Sequence, residues 1–256
     1  MTLLLNSHEP AIVRGIKTVG VGKRGSKNLT PELAQEIAAD LKAGTVSPVA
    51  AGAFFGGLFN KGVVPAEMAL EQAFVPGAFK NYSKFIACLA PEAPLDIQNI
   101  CVRLLQNETL DFDAAYRLGK FLLSKEPADA ARGLAVSILR VRYETDAEYA
   151  GILKSLQETI AEPFRQPIPA GNPIVQLAEP FDGVDHSYLI TPLLAHYVQR
   201  CGYRAVSLVG RNSGPKMGNN LLDLMHALQI PSSEGNHDLV PLQLNNIGRN
   251  LSVVNG

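Results

Sequence analysis

The chain has 256 residues, of which 46% are hydrophobic, and its formal net charge is −1. A chain of this length and apolar content can bury a sizeable core in one or two domains. The near-neutral charge excludes a protein that is basic over its whole surface, as a histone-like DNA coater would be, so any site for a polyanion must be local.

The spacing of the cysteines and the length of the apolar runs indicate in which cellular compartment the protein resides. The three cysteines are odd in number, widely spaced and without a C-x-x-C pair, which favours buried thiols in a reducing environment. No apolar run reaches the roughly 18 residues that span a bilayer, and the apolar N-terminal stretch is too short for a secretory signal. We therefore expect a cytoplasmic protein with no membrane partner.

The first informative segment is "VGVGKRGSKN", which has the spacing G-x-G-x-x-G ending at Gly25. A nucleotide-binding loop of this type needs a buried strand before it and a helix that opens at its last glycine. The preceding "AIVRGIKTVG" is short and basic, and the next helix is predicted to begin later, with Thr30 as N-cap and Pro31 as first helical residue. The spacing argues against a nucleotide site and leaves residues 1–28 as a basic, glycine-containing N-terminal arm.

An internal repeat follows this arm. The segments that begin at Leu29 and Leu110 align without a gap at an offset of 81 residues, and their apolar positions coincide. The alignment also pairs Glu67 with Glu148. Each copy reads as a helix, a turn, a helix rich in small residues, a second turn and a third helix. One such unit cannot bury its apolar faces alone, so we expect two copies packed on each other or on a second chain.

These patterns divide the chain into segments. The run "VAAGAFFGGLF" is predicted to let helix backbones approach closely. "RQPIPAGNP" is a proline-rich linker, after which the residues read in the order strand, loop, helix, strand, loop, helix. The predicted segments are the arm at 1–28, helical repeats at 29–82 and 83–165, a linker at 166–173, and a partial α/β domain at 174–256.

The two repeats resemble the small helical domain of the anthranilate phosphoribosyltransferase and nucleoside phosphorylase family, also called glycosyltransferase family 3. The residues that carry the resemblance are Leu139, Arg140, Arg142, Glu144, Thr145, Glu148, Ala150 and Gly151. The resemblance implies an α/β protein, with an all-helical N-terminal half of two repeated three-helix units before the first part of a parallel phosphorylase-like domain. It also implies a homodimer formed through the helical domain.

The family binds the pyrophosphate of phosphoribosyl pyrophosphate with a G-T-G-G-D loop, from which this sequence departs. The aligned positions are Glu179, Pro180, Phe181, Asp182 and Gly183. A carboxylate, a residue without an N–H and a bulky ring replace the glycines that let phosphates approach the backbone. A loop shifted by two residues would still bring Gly183 and the hydroxyls of Ser187 and Thr191 to a phosphate.

A second phosphate loop is implied by "VGRNSGPKMGNN", which resembles a glycine- and arginine-containing run of pyrimidine nucleoside phosphorylases. Its candidate phosphate-binding residues are Gly210, Arg211, Asn212, Ser213 and Lys216. A guanidinium, a hydroxyl and glycine backbone suit an oxyanion. The loop follows the predicted strand "AVSLV", at the strand end where α/β proteins bind ligands. The alternative is a polar surface loop before a helix.

A catalytic member would use Mg²⁺, which the family holds with an acidic pair further along the α/β domain. "NNIGRNLSVVNG" resembles a strand in the middle of that domain, so we expect the acidic pair outside this sequence, which would be a truncated product, a fragment, or a half that pairs with another chain. No residue of this sequence is assigned as a metal ligand, and the histidines lack a metal-binding spacing.

A divergent branch of the family, reported to bind nucleic acid, begins with an "IGRGK" arm to which "TVGVGKRGSKNLTPE" is similar. That branch also has an "LTPLLA" helix start, similar to "LITPLLA" here. The implied phosphate contacts, made without base specificity, come from Arg14, Lys17, Lys23, Arg24 and Lys27. The alternative is a solvated, flexible arm.

The sequence therefore predicts two alternative functions of different class. The first is pentosyl or phosphoribosyl transfer from a sugar phosphate. The second is a non-catalytic family member that binds nucleic acid or a protein partner through the basic arm and the helical module.

Overall fold

A computed structural model describes residues 9–22, 24–160, 173–178, 184, 188–209, 218–229, 232–234 and 252–255. The chain divides into two compact units, Met1–Thr159 and Ile160–Gly256.

The regular elements described in the N-terminal unit are all helices. Its helices are α1 (Ala11–Val19), α2 (Pro31–Lys42), α3 (Pro48–Lys61), α4 (Tyr82–Leu89), α5 (Leu95–Leu105), α6 (Phe112–Leu122), α7 (Asp129–Arg142) and α8 (Asp146–Thr159), with 3₁₀ helices at Pro65–Ala73 and Ala78–Lys80. At the offset of 81 residues, α2 corresponds to α6 and α3 to α7. The third helix expected in the first repeat is the 3₁₀ helix at Pro65–Ala73, where the second repeat has the α-helix α8.

The first helices of both repeats begin with equivalent caps. The Thr30 hydroxyl accepts a hydrogen bond from the N–H of Leu33 at 3.2 Å. The Asp111 carboxylate accepts one from the N–H of Ala114 at 2.8 Å. Each cap satisfies a backbone donor that the helix itself leaves without a partner. The predicted N-cap at Thr30 is confirmed.

The two repeats pack on each other where α3 crosses α7. A Cβ atom built on Gly52 would lie 1.9 Å from the Ala130 carbonyl oxygen, and one on Gly133 would lie 2.1 Å from the Val49 carbonyl oxygen. Because Gly52 and Gly133, like Val49 and Ala130, are 81 residues apart, the two contacts are equivalent. The repeats are therefore related by a local twofold axis, with backbone against backbone at the crossing.

Aromatic rings fill much of the core beside α3. The rings of Phe55 and Phe74 meet edge to face with centroids 5.0 Å apart, and those of Phe59 and Phe85 do so at 4.9 Å. Phe55 and Phe85 are fully buried. Edge-to-face pairs at this separation add stability beyond the burial of their area.

The expectation of buried thiols holds for one of the three cysteines. Cys101 is buried within α5, and burial raises the pKa of its thiol to about 12. A thiol in such surroundings stays protonated and unreactive at neutral pH. Cys88 and Cys201 are exposed, so the expectation is wrong for these two.

The N-terminal segment differs from the arm expected over residues 1–28. Residues 11–19 form α1, which packs against α2 and α3 and buries Ala11, Ile12 and Val19. At Gly15 the approach is close: an added Cβ would lie 2.7 Å from the Ile37 side chain. Apolar burial thus makes residues 11–19 part of the helical core, and Arg24 and Lys27 lie on the turn that follows.

The C-terminal unit contains a small parallel sheet. Its described elements are β1 (Ile174–Ala178), α9 (Thr191–Arg200), β2 (Arg204–Val209), α10 (Leu221–Ala227), β3 (Ser232–Glu234) and β4 (Ser252–Asn255). The strand order is β1-β2-β4-β3 with every pairing parallel. The predicted alternation of strands and helices is present, since a helix lies between β1 and β2 and another between β2 and β3.

Candidate nucleic-acid interface

A hydrogen-bonded turn joins α1 to the segment before α2. The N–H of Lys27 donates to the Thr18 carbonyl at 2.8 Å, and the Ser26 hydroxyl donates to the Val19 carbonyl at 2.6 Å. Within the turn, the N–H of Gly25 donates to the Gly22 carbonyl at 3.0 Å. These bonds hold Gly22 and residues 24–27 against the C-terminal end of α1. We call residues 20–22 and 24–28 the basic turn.

The basic turn presents two cations to solvent. The side chains of Arg24 and Lys27 are exposed, and neither forms an ion pair within the part of the chain that the structure describes. Lys23, which was also predicted to contact phosphate, lies outside the described residues. Backbone bonds therefore fix the turn while its charged side chains are available to an anion.

The two remaining predicted cations lie on α1 and face carboxylates. Arg14 contacts Glu36 of α2, and the Lys17 ammonium lies 2.5 Å from a carboxylate oxygen of Glu9. Arg14 is largely covered, with 23% of its side chain exposed. An ion pair of this kind must be broken before either cation can bind a phosphate, so the cationic surface is smaller than the sequence predicted.

Tyr143 lies beside the basic turn and was not predicted from the sequence. A Cβ built on Gly22 would lie 4.0 Å from the Tyr143 hydroxyl. The residue is 56% exposed, and the Arg140 guanidinium lies 5.9 Å from the centroid of its ring. Tyr143 also has a positive φ of 67°. The repeat alignment places Tyr143 opposite Gly62, and this exchange of glycine for tyrosine is the sequence signal that could have identified the residue.

A buried carboxylate anchors the end of the basic turn. The carboxylate of Glu67 accepts hydrogen bonds from the N–H of Leu29 at 2.9 Å and the N–H of Val64 at 3.0 Å. The Lys61 ammonium lies 3.0 Å from the same carboxylate. Because Leu29 follows the turn directly, this cluster holds the turn's C-terminal end to the start of the 3₁₀ helix.

The second repeat contains the same cluster. The carboxylate of Glu148 accepts hydrogen bonds from the N–H groups of Leu110 and Thr145, both at 2.8 Å, and from Arg142 at 2.5 Å. Burial alone would raise the pKa of Glu148, but the bonds from Arg142, Thr145 and Leu110 outweigh it and lower the pKa to about 2. Both carboxylates are fully occupied by donors, so their role is structural.

The predicted phosphate loops follow neighbouring strands in the C-terminal unit. Ala178, the last residue of β1, pairs with Leu208 near the end of β2. The segments that leave β1 and β2 therefore start from the same edge of the sheet. Thr191 is the first residue of α9. The other predicted phosphate residues lie outside the described residues: Gly183, Ser187, Gly210, Arg211, Asn212, Ser213 and Lys216.

An open, mainly apolar groove of about 740 Å³ lies between the start of α9 and α10. Its lining includes Tyr188, Ile190 and Leu193, all exposed, and Asp223 of α10. The N–H of Asn220 donates to the Asp223 carboxylate at 2.9 Å, and the N–H of Asp223 donates back to the Asn220 side chain at 3.1 Å. These reciprocal bonds cap α10, so Asp223 serves the helix terminus.

Comparison with known proteins finds neither a protein-family model nor a curated protein that matches the sequence. Within the described ranges, no three His, Cys, Asp or Glu side chains come together as a metal site. Among the helices that could be described, none combines the length and apolar character needed to cross a bilayer.

Proposed function

We propose that this protein binds the sugar–phosphate backbone of nucleic acid through the basic turn. The observation that carries the proposal is the exposure of Arg24 and Lys27 on a backbone held in place from both ends. A turn that is already ordered loses little conformational entropy when an anion binds, so more of the electrostatic attraction appears as affinity.

The chemistry of the turn favours contacts to phosphate over contacts to bases. Arg and Lys on a glycine-containing backbone neutralise phosphates irrespective of sequence. A chain of net charge −1 needs such a local concentration of cations to attract a polyanion. The protein's role would be non-catalytic, with the helical unit as the scaffold for the turn.

The proposal is tested with the double variant Arg24→Gln and Lys27→Gln. Fluorescence anisotropy would follow binding of labelled single-stranded and duplex DNA to the full chain. Exposed ion pairs contribute up to about 1 kcal/mol each, so we expect a roughly tenfold loss of affinity for both forms of DNA.

A matched control removes the same charge elsewhere. Lys80 and Lys84 are also exposed, and their double change to Gln should leave the affinity within about twofold of wild type if binding is local to the turn. Absence of DNA binding by the wild-type chain, or equal losses in the two double variants, would contradict the proposal.

A second candidate function is pentosyl or phosphoribosyl transfer, as the family resemblance implies. The specific observation in its favour is that β1 and β2 are adjacent and parallel, because ligands of open α/β sheets bind beyond the carboxyl ends of such strands. The residues proposed to bind phosphate are Arg211, Asn212, Ser213 and Lys216, with Mg²⁺ as the cofactor of a catalytic form.

Calorimetric titration of phosphoribosyl pyrophosphate with Mg²⁺ into the protein tests this second candidate. Saturable binding that disappears on changing Arg211 and Lys216 to Ala would support a transferase. No heat from folded protein at about millimolar ligand, the upper range of enzyme substrate affinities, would contradict it. The homodimer implied by the resemblance is a separate proposal, tested by the sedimentation of the full chain.

A further inference from the structure

We infer that Tyr143 is a stacking platform for an unpaired base, so that the basic turn favours single-stranded over duplex nucleic acid. The inference rests on the proposed binding of nucleic acid and extends it to the class of ligand. Three features carry it: the backbone conformation of Tyr143, the exposure of its ring, and its position beside the turn.

The backbone at Tyr143 has a conformation that suits glycine. Its φ is 67° and its ψ is 145°, whereas the equivalent Gly62 of the first repeat has a φ of 93° and a ψ of 129°. A side chain in this region is strained, and glycine adopts it without a steric penalty. The second repeat therefore carries a tyrosine where the same turn in the first repeat carries the residue that fits best.

Burial of the ring does not compensate for this strain. Tyr143 remains 56% exposed, so most of the stabilisation that a buried aromatic ring would supply is absent. The Arg140 guanidinium lies over one face of the ring, 5.9 Å from its centroid. A strained, exposed aromatic residue next to a cation is better explained by contact with a ligand than by folding.

The ring lies beside the N-terminal end of the basic turn. The Tyr143 hydroxyl lies close to Gly22, and Arg24 follows two residues later. A base stacked on the ring would thus have its own backbone near the cations of the turn. Bases in a duplex are already stacked on each other, whereas unpaired bases can turn out to an aromatic ring, so the ring would discriminate in favour of single strands.

The decisive variant is Tyr143→Gly, which removes the ring and supplies the residue that the backbone prefers. We expect its affinity for an oligothymidylate of about 12 nucleotides to fall roughly tenfold, the usual effect of losing one stacked base. Affinity for duplex DNA should change less than about twofold. The melting temperature of the variant should equal or exceed that of wild type, because the strain is removed.

Two further variants separate stacking from other roles. Tyr143→Phe keeps the aromatic face and should keep the affinity for the single strand. Tyr143→Leu keeps an apolar side chain without an aromatic face and should lose that affinity. Tyr149, which is 63% exposed on α8, supplies a matched control, because Tyr149→Ala removes an exposed ring that has no cation over it within the described residues. This control should bind both forms of DNA as wild type does.

The possible outcomes distinguish this inference from the proposed function. If Arg24→Gln with Lys27→Gln weakens binding but Tyr143→Gly and Tyr143→Leu do not, the stacking role is wrong and the phosphate contacts stand. If Tyr143→Gly lowers the melting temperature and Tyr143→Leu keeps full affinity, Tyr143 has a packing role only. If the wild-type chain binds neither form of DNA, both proposals fail.

Discussion

Glu67 and Glu148 are the two fully buried carboxylates of the helical unit among the residues described. A buried carboxylate is costly unless donors replace the water it has lost. Each of these accepts two backbone N–H bonds and faces one cation, Lys61 or Arg142. At the scale of single residues, these clusters fix the turns that the repeats share.

Changing Glu148 to Gln should destabilise the protein strongly. The amide keeps the volume of the side chain but leaves Arg142 without its partner and sets an N–H group against backbone donors. Loss of one partner of a buried pair costs about 3 kcal/mol or more, measured as the free energy of unfolding in urea. The exposed neighbour Glu144 is the control, and Glu144→Gln should change that free energy by less than about 0.5 kcal/mol. Equal effects would contradict the structural role of Glu148.

The low pKa of the same carboxylate predicts that the protein loses stability in acid. The pKa of Glu148 is about 2 in the folded protein against an ordinary value of 4.5. Its contribution is therefore complete above pH 4.5 and is lost as the pH falls towards 2. The unfolding free energy of wild type should decrease more over this range than that of Glu148→Gln. If the unfolding free energies of the two proteins fall in parallel as the pH falls, Glu148 is not the source of the acid dependence.

At the scale of elements, the crossing of α3 and α7 decides how the repeats pack. Replacing glycine by alanine inside a helix normally stabilises it by about 1 kcal/mol. Gly52→Ala and Gly133→Ala should instead each destabilise the protein by about 1–3 kcal/mol, because the new Cβ atoms would overlap carbonyl oxygens of the facing helix.

The double variant gives a sharper test of this crossing. Once one alanine has separated the helices, the second should destabilise the protein less. The loss of unfolding free energy in the double variant should therefore be smaller than the sum of the losses in the two single variants. Stabilisation by either single change would contradict the close backbone contact.

The helices of the repeats could be predicted from sequence because their signals are local. The N-cap at Thr30 and the run of small residues in α3 depend on neighbours in the chain. The helix α1 was missed because Gly15 and its basic residues mask a short apolar face, which becomes a helix by packing on Ile37 and α3. The third helix predicted for the first repeat is a 3₁₀ helix, at Pro65–Ala73.

The candidate site could be predicted only in part, because its members meet through tertiary contacts. The basic residues of the turn were visible in the sequence. The ion pair that occupies Arg14 depends on a glutamate of the next helix, and the approach of Tyr143 to Gly22 brings the second repeat to the segment that precedes the first. The alignment paired Glu67 with Glu148, but nothing local distinguishes a buried carboxylate from one at an exposed helix start.

Over the whole molecule the net charge is only −1, so the attraction of a polyanion depends on a few local cations. The affinity of a protein that binds phosphates falls with salt in proportion to the number of phosphates it neutralises. A local site with few contacts therefore predicts a shallow salt dependence, unlike that of a protein with a long basic surface.

The decisive measurement for phosphate binding by the basic turn is the slope of log affinity against log salt concentration for duplex DNA. It is measured for wild type and for Arg24→Gln with Lys27→Gln. Each lost phosphate contact should reduce the magnitude of the slope by about 0.9, so the double variant should lose about 1.8. A slope unchanged by the double variant would show that the basic turn does not contact the phosphate backbone.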